Sequence, residues 1–257
     1  MFSLDRGTPI GIIKDGEDDG EILGIVKEED LGYDKEYEEE EGESSEFFTD
    51  GQIFPILNPN EREVSYIAAP AGAGKSFLAG TLASGWMDMH RGKDAYIVSR
   101  TDYKLDPSLK HLRLKQIPIG DHLVERPIDI TKEVHDDTLV IFDDVTTIHD
   151  DKLRKAVEKM ICDILEIGRK LRIWIILTSH LIIPNEKKFA RTVLNEMQSL
   201  YVFPRAGSKQ QISYVLKQYY GISKSQIELI LNIKSRWVKV QKTAPQYVMS
   251  TDEAFIL

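Results

Sequence analysis

The chain has 257 residues, 42% of them hydrophobic, and a formal net charge of −9 at pH 7. That length holds one large α/β domain, or one domain with appendages. Its single cysteine, Cys162, excludes an internal disulfide framework and suits a reducing compartment. There is no N-terminal hydrophobic signal, and the apolar run Ile173–Leu177 is far too short to span a bilayer, so a soluble intracellular protein without a membrane partner is expected.

The charge is unevenly spread. Residues 1–50 carry 18 acidic and 4 basic side chains, a net of −14, which leaves 24 acidic and 29 basic, a net of +5, for residues 51–257. Within the acidic part, Pro9–Ile13 and Ile22–Val26 are β-prone and flank a Gly/Asp-rich stretch that reads as a hairpin loop. Glu28 to Glu46 is acidic low complexity and is expected to be disordered in isolation. It is either a solubilising tail or a segment that docks on basic surface, the protein's own or a partner's.

From Gly51 the pattern is α/β alternation. Val64–Ala68, Ala95–Ser99, Leu139–Phe142, Ile173–Thr178 and Ser199–Phe203 are short and almost continuously apolar, as parallel strands covered on both faces should be. Phe77–Met89 is helix-compatible. Leu153, Val157, Met160, Ile161, Ile164 and Leu165 recur at three- and four-residue spacing, which predicts an amphipathic helix with Asp150 or Asp151 as its cap and Cys162 as a small structural residue. Beyond Phe203, residues 205–242 hold eight basic side chains (Arg205, Lys209, Lys217, Lys224, Lys234, Arg236, Lys239, Lys242) against one acid, Glu228. Two helices are expected there, then a β-hairpin of Trp237–Gln241 and Gln246–Met249. The expected division is therefore an acidic N-terminal segment over 1–50, a core over 51–205 with a central, mostly parallel sheet, and a small basic helix/hairpin extension over 206–257.

One octapeptide carries most of the chemistry. Ala69-Pro70-Ala71-Gly72-Ala73-Gly74-Lys75-Ser76 stands between a β-prone run and a helical stretch, the order of a phosphate-binding loop. Main-chain amides from Gly72, Ala73 and Gly74 through Phe77 would point at phosphate oxygens, helped by the positive end of the helix. Lys75 would reach the β- and γ-phosphates of ATP, and the Ser76 hydroxyl would hold Mg²⁺. The first glycine of the usual motif is Ala69 here, which is acceptable only at negative φ. Further on, Leu139-Val140-Ile141-Phe142-Asp143-Asp144 is an apolar strand ending in two carboxylates. Asp143 would bind the metal's hydration shell and Asp144 would orient and polarise the attacking water. The fourth strand ends in Thr178-Ser179-His180, where Ser179 or His180 could sense the γ-phosphate. A ring ATPase also takes an arginine from the neighbouring subunit. Arg169, in Gly168-Arg169-Lys170-Leu171-Arg172, is the first candidate, with Arg191 and Arg205 as alternatives.

On these motifs the stretch from about Ile56 to Arg205 resembles the FtsK/HerA superfamily of DNA-pumping ATPases, and within it the genome-packaging ATPases of large double-stranded DNA viruses. The block from Gly168 through Leu177-Thr178-Ser179-His180 and the run from Phe189 to Phe203 look like that group's continuation. Two features depart from it: Ala69 in the loop, and Ser-His where cellular members usually carry Gln. The resemblance implies a RecA-like core, a homo-oligomeric ring and ATP-driven translocation of double-stranded DNA into a capsid, with capsid or portal proteins as further partners. The basic C-terminal residues would supply cations along a central channel. The rival reading is a phosphate-loop ATPase acting as a helicase loader or a nucleotide-dependent protein-binding switch. A nucleotide kinase has less support, because no Arg-rich lid segment follows the core.

Overall fold

The computed structural model describes residues 1–27 and 44–257. The acidic stretch expected over 28–46 lies outside the described residues except at its end, where Ser44 bridges Phe2 and Glu46 begins a strand. The first strands are β1 (Phe2–Ser3), β2 (Thr8–Lys14), β3 (Ile22–Ile25), β4 (Glu46–Phe48) and β5 (Gln52–Pro55). β2 and β3 form the expected hairpin, with Ile12 opposite Ile22, and β5 pairs antiparallel with β2 to give a small sheet in the order β1-β3-β2-β5.

The remaining elements alternate. They are β6 (Val64–Ala68), α1 (Lys75–Met89), β7 (Ala95–Ser99), β8 (Lys115–Pro118), α2 (His122–Glu125), α3 (Ile130–Glu133), β9 (Thr138–Phe142), α4 (Asp151–Ile167), β10 (Ile173–Ser179), α5 (Lys187–Glu196) and β11 (Ser199–Val202). Next come α6 (Lys209–Tyr220), α7 (Lys224–Asn232), β12 (Val238–Gln241), β13 (Tyr247–Met249) and β14 (Glu253–Ile256). The five apolar runs are all strands, and they sit side by side in parallel as β11-β6-β10-β9-β7, with β8 added at the edge. Sequence reading misses β8 because it opens on a lysine, closes on a proline and is nowhere fully buried, as suits an edge. On the other side β12, β13, β14 and β4 continue the sheet antiparallel. Both sheets thus draw strands from each side of residue 50.

Alternation along the strands splits the core in two. Tyr66, Phe142, Ile175 and Leu177 face one side with α4 to α7, whereas Ile67, Ile141, Trp174 and Ile176 face the other. That second side is covered by Leu78, Leu82 and Trp86 of α1 and by Ile10, Ile13 and Ile53 of the small sheet. Each buried side chain of this size contributes roughly 1.5–3 kcal/mol. The N-terminal strands are therefore core wall. α4 occupies the predicted span, and of the two candidate caps Asp150 is the one used: its carboxylate accepts the Leu153 amide at 2.8 Å. Among the described residues, no helix is long and apolar enough to cross a membrane.

Candidate nucleotide site

The carboxyl ends of the parallel strands converge on the octapeptide, which joins β6 to α1. Gly72 and Gly74 adopt φ of 75° and 113°, where L side chains are strained, so the two glycines are required by conformation. Ala69 stays outside the positive-φ region, so its methyl group costs nothing. Its amide donates to the Ser179 carbonyl at 3.0 Å, which ties the loop to the tip of β10.

β10 is inserted between β6 and β9, so the two carboxylates of β9 do not lie directly beside the loop strand. The tip of β10 fills that gap. The Lys75 side chain is buried, with Nζ 3.5 Å from the Pro70 carbonyl oxygen, 3.4 Å from His180 Nδ1 and 3.7 Å from Asp144 Oδ1. His180 Nε2 is 3.1 Å from Asp144 Oδ2. An ammonium group only donates, so Nδ1 accepts from Lys75 and the hydrogen on Nε2 goes to Asp144. The three side chains form a closed triangle at the mouth of the loop. Asp144 has φ 48°, a left-handed conformation that Asp tolerates, and this turns the chain out of the strand direction.

Register explains the other carboxylate. Phe142 pairs with Leu177, so Asp143 comes level with Thr178, whose hydroxyl donates to Asp143 Oδ1 at 2.9 Å and accepts the Asp144 amide at 2.9 Å. Burial and, second, the neighbouring Asp144 charge push the Asp143 carboxyl above its ordinary pKa. A divalent cation there would offset both effects. Among the described residues no cluster of three or more His, Cys, Asp or Glu side chains could cage a metal alone. Mg²⁺ needs no such cage, because it binds through few protein ligands plus phosphate and water, and Ser76 and Asp143 are the candidates to hold it.

Of the two candidates on β10, His180 joins Lys75 and Asp144, whereas Ser179 is turned away. Its hydroxyl donates to the Leu181 carbonyl at 2.7 Å and accepts the Leu181 amide at 3.0 Å. Arg169 is exposed in the turn that precedes β10, at the opposite end of that strand from His180. At about 3.3 Å per residue, β10 alone separates them by roughly 20 Å. Arg191 is exposed on α5. Arg205 lies near its own loop, bordering an open cavity with Gly72, Ala73 and Arg236.

Arg236 is a site residue that sequence reading missed. Its guanidinium donates to the Ala73 carbonyl at 2.7 Å and the Gly72 carbonyl at 3.4 Å, and a Cβ on Gly74 would come within 3.2 Å of it. In the sequence it is one cation in a basic run, and no local signal separates it from the rest. The expectation that all eight of those cations line a channel fails at Lys239. That side chain is buried beside Glu63, with Nζ 3.5 Å from Oε1. Burial opposes its charge, but Glu63, Tyr201 and Tyr247 outweigh burial and hold its pKa well above the ordinary value. Lys242 is partly withdrawn as well, bonded to the carbonyls of Leu194 and Asn195.

No family model matches the chain. Protein V3 of Sputnik virophage, itself uncharacterised, is 38% identical over 211 residues, covering 82% of this chain and 84% of V3. Among solved structures, the conjugation coupling protein TcpA of pCW3, with ATPγS, aligns over 94% of this chain and 76% of its own at TM-score 0.51 and 16% identity. The cytoplasmic domain of the type VII secretion ATPase EccC of Thermomonospora curvata aligns over 95% of this chain and 28% of its own at 0.52 and 15%. The genome packaging NTPase B204 of Sulfolobus turreted icosahedral virus 2, with ATPγS, reaches 0.49 at 13% identity over 76% of this chain and 98% of its own. At the level of fold, the resemblance read from the motifs holds. The protein belongs to the same family as V3 of Sputnik virophage and shares the fold of TcpA and the EccC cytoplasmic domain.

Proposed function

We propose that the chain is an ATPase that drives double-stranded DNA through a homo-oligomeric ring, to package a viral genome. The observation that carries this reading is the convergence of Lys75, Asp144 and His180 at the mouth of a two-glycine phosphate loop. In the proposed cycle Lys75 and the amides from Gly72 to Phe77 take the phosphates, and Ser76 and Asp143 hold Mg²⁺. Held by those residues, Mg²⁺ would supply neutralisation of charge that develops on the phosphate oxygens. Asp144 orients the attacking water, and His180, rather than Ser179, senses the γ-phosphate because its ring already touches both partners. Lys75 is shared between Asp144 and His180, so a triphosphate would compete for its ammonium group. Arg169, too far from its own loop to act there, is offered to a neighbouring subunit.

The ring's cargo is double-stranded DNA. This assignment is supported by the motif likeness to packaging ATPases, by the virophage origin of the relative, and by Arg205, Lys209, Lys217, Lys224 and Lys234, which all remain exposed. The test is the ATPase rate with and without double-stranded DNA, alongside a mass measurement of the assembly with nucleotide. Stimulation by DNA in a multimer is expected. An unchanged rate would favour the protein-binding switch.

A further inference from the structure

Beside the phosphate loop is a second cavity, of about 210 Å³, lined by four aromatic side chains (Phe54, Phe77, Phe203 and Trp237) and one fixed guanidinium. We infer that it receives the nucleobase of the bound nucleoside triphosphate, with Phe77 and Arg236 as the groups that hold the base; this rests on the phosphate-loop reading above.

The cavity starts at Gly74, the last residue before α1, and shares both Gly74 and Arg236 with the phosphate cradle. It is therefore continuous with the place where phosphates would sit. One face of the first turns of α1 lines it, through Phe77 and Thr81 at i and i+4. Phe54 of β5, Phe203 and Trp237 also line it. Phe77 is 55% exposed, a large ring one residue beyond Ser76 that contributes little to the core. Exposed rings at such a place need a reason, and a planar base supplies one. Aromatic and guanidinium planes stack on any base, for about 1–3 kcal/mol per base. Arg236 is already anchored to the Ala73 and Gly72 carbonyls, so it offers its plane with little further ordering. The other cavity that borders the loop is more open, and two of its walls are the cations Arg205 and Arg236, which suits phosphate oxygens better than an uncharged ring.

One wall of the inferred site is β5, which pairs with β2 in the small N-terminal sheet. Trp237 and Thr251, far from the octapeptide in the sequence, complete the lining. The base is read by shape and stacking, with the polar groups of Gln52, Thr81 and Thr251 at the walls.

Calorimetric titration of the full chain with Mg-ATP and with inorganic tripolyphosphate tests this. The parent should bind ATP more tightly than tripolyphosphate. Phe77→Ala removes the ring but keeps the main-chain amide, so it should weaken ATP about five- to hundredfold, the span of a lost stacking contact, and change tripolyphosphate affinity far less. Phe77→Tyr should restore ATP binding. Retained tripolyphosphate binding also shows that the variant is folded. Parental ATP affinity in Phe77→Ala, with tripolyphosphate still bound, would put the base elsewhere and leave the phosphate loop standing. Failure of the parent to bind either ligand would overturn both readings.

Discussion

The Thr178 hydroxyl lies 2.9 Å from Asp143 Oδ1 and 2.9 Å from the Asp144 amide nitrogen, so one fully buried side chain holds both acidic residues at the tip of β9. Thr178→Val keeps the shape and removes the hydroxyl. It leaves the Asp144 amide without its acceptor, a loss of about 1–3 kcal/mol. We expect ATP affinity within about twofold of the parent and single-turnover hydrolysis slowed about tenfold, as befits a positioning residue. Thr178→Ser should recover most of the rate. A parental rate in the valine variant would remove Thr178 from the site.

Lys75→Ala should abolish nucleotide binding or turnover. Asp144→Asn should keep ATP bound while slowing hydrolysis by at least about a hundredfold, the usual size of a lost general-base contribution. Binding and turnover must be measured separately. Full-rate hydrolysis by Asp144→Asn would mean that another group orients the water.

Arg169 stands at the far end of β10 from its own loop, whereas Arg205 and Arg236 border that loop. Arg169→Ala should therefore lower turnover with little change in ATP affinity, and mixing it with Asp144→Asn subunits should restore part of the activity. Restoration arises when one intact arginine and one intact aspartate meet at a mixed interface. Without it, Arg191 becomes the candidate in trans.

Glu63 and Lys239 form a buried pair, and Glu63 also accepts from the Asn58 amide at 2.8 Å, from Ser65 at 3.2 Å and from Ser199. Removing one partner strands a buried charge, at a cost of about 3–5 kcal/mol. Lys239→Met should lower the denaturant midpoint accordingly while leaving the salt dependence of DNA binding unchanged. A smaller salt slope in this variant would return Lys239 to the DNA-facing set.

The acidic segment calls for a narrow deletion. Removing residues 1–50 would take away β1 to β4 and unroof the core that Ile10, Ile13 and Leu23 help to close. Residues 28–43 hold ten acids and one lysine, a net of −9, and can be replaced by a neutral linker. If this segment competes with DNA for exposed cations, the replacement tightens DNA binding, most at low salt where screening is weakest. A scrambled segment of the same composition controls for plain repulsion. Equal affinities of all three proteins at low salt would leave the segment as a solubilising tail.

The local chemistry was legible without a structure because it is contiguous. The loop Ala69–Ser76, the strand ending in Asp143-Asp144, and the three- and four-residue spacing from Leu153 to Leu165 each depend on neighbours in sequence, and all appear where the pattern put them. Tertiary structure decided the rest. It inserted β10 between β6 and β9, which brought His180 rather than Ser179 to Lys75 and Asp144. It carried Arg236 across 163 residues to the Ala73 carbonyl, and it buried Lys239 against Glu63. Strand order and the pairing of a cation with a distant carboxylate are set by the packing of two faces of one sheet. Such packing depends on which surfaces meet, and periodicity along a single segment does not encode it.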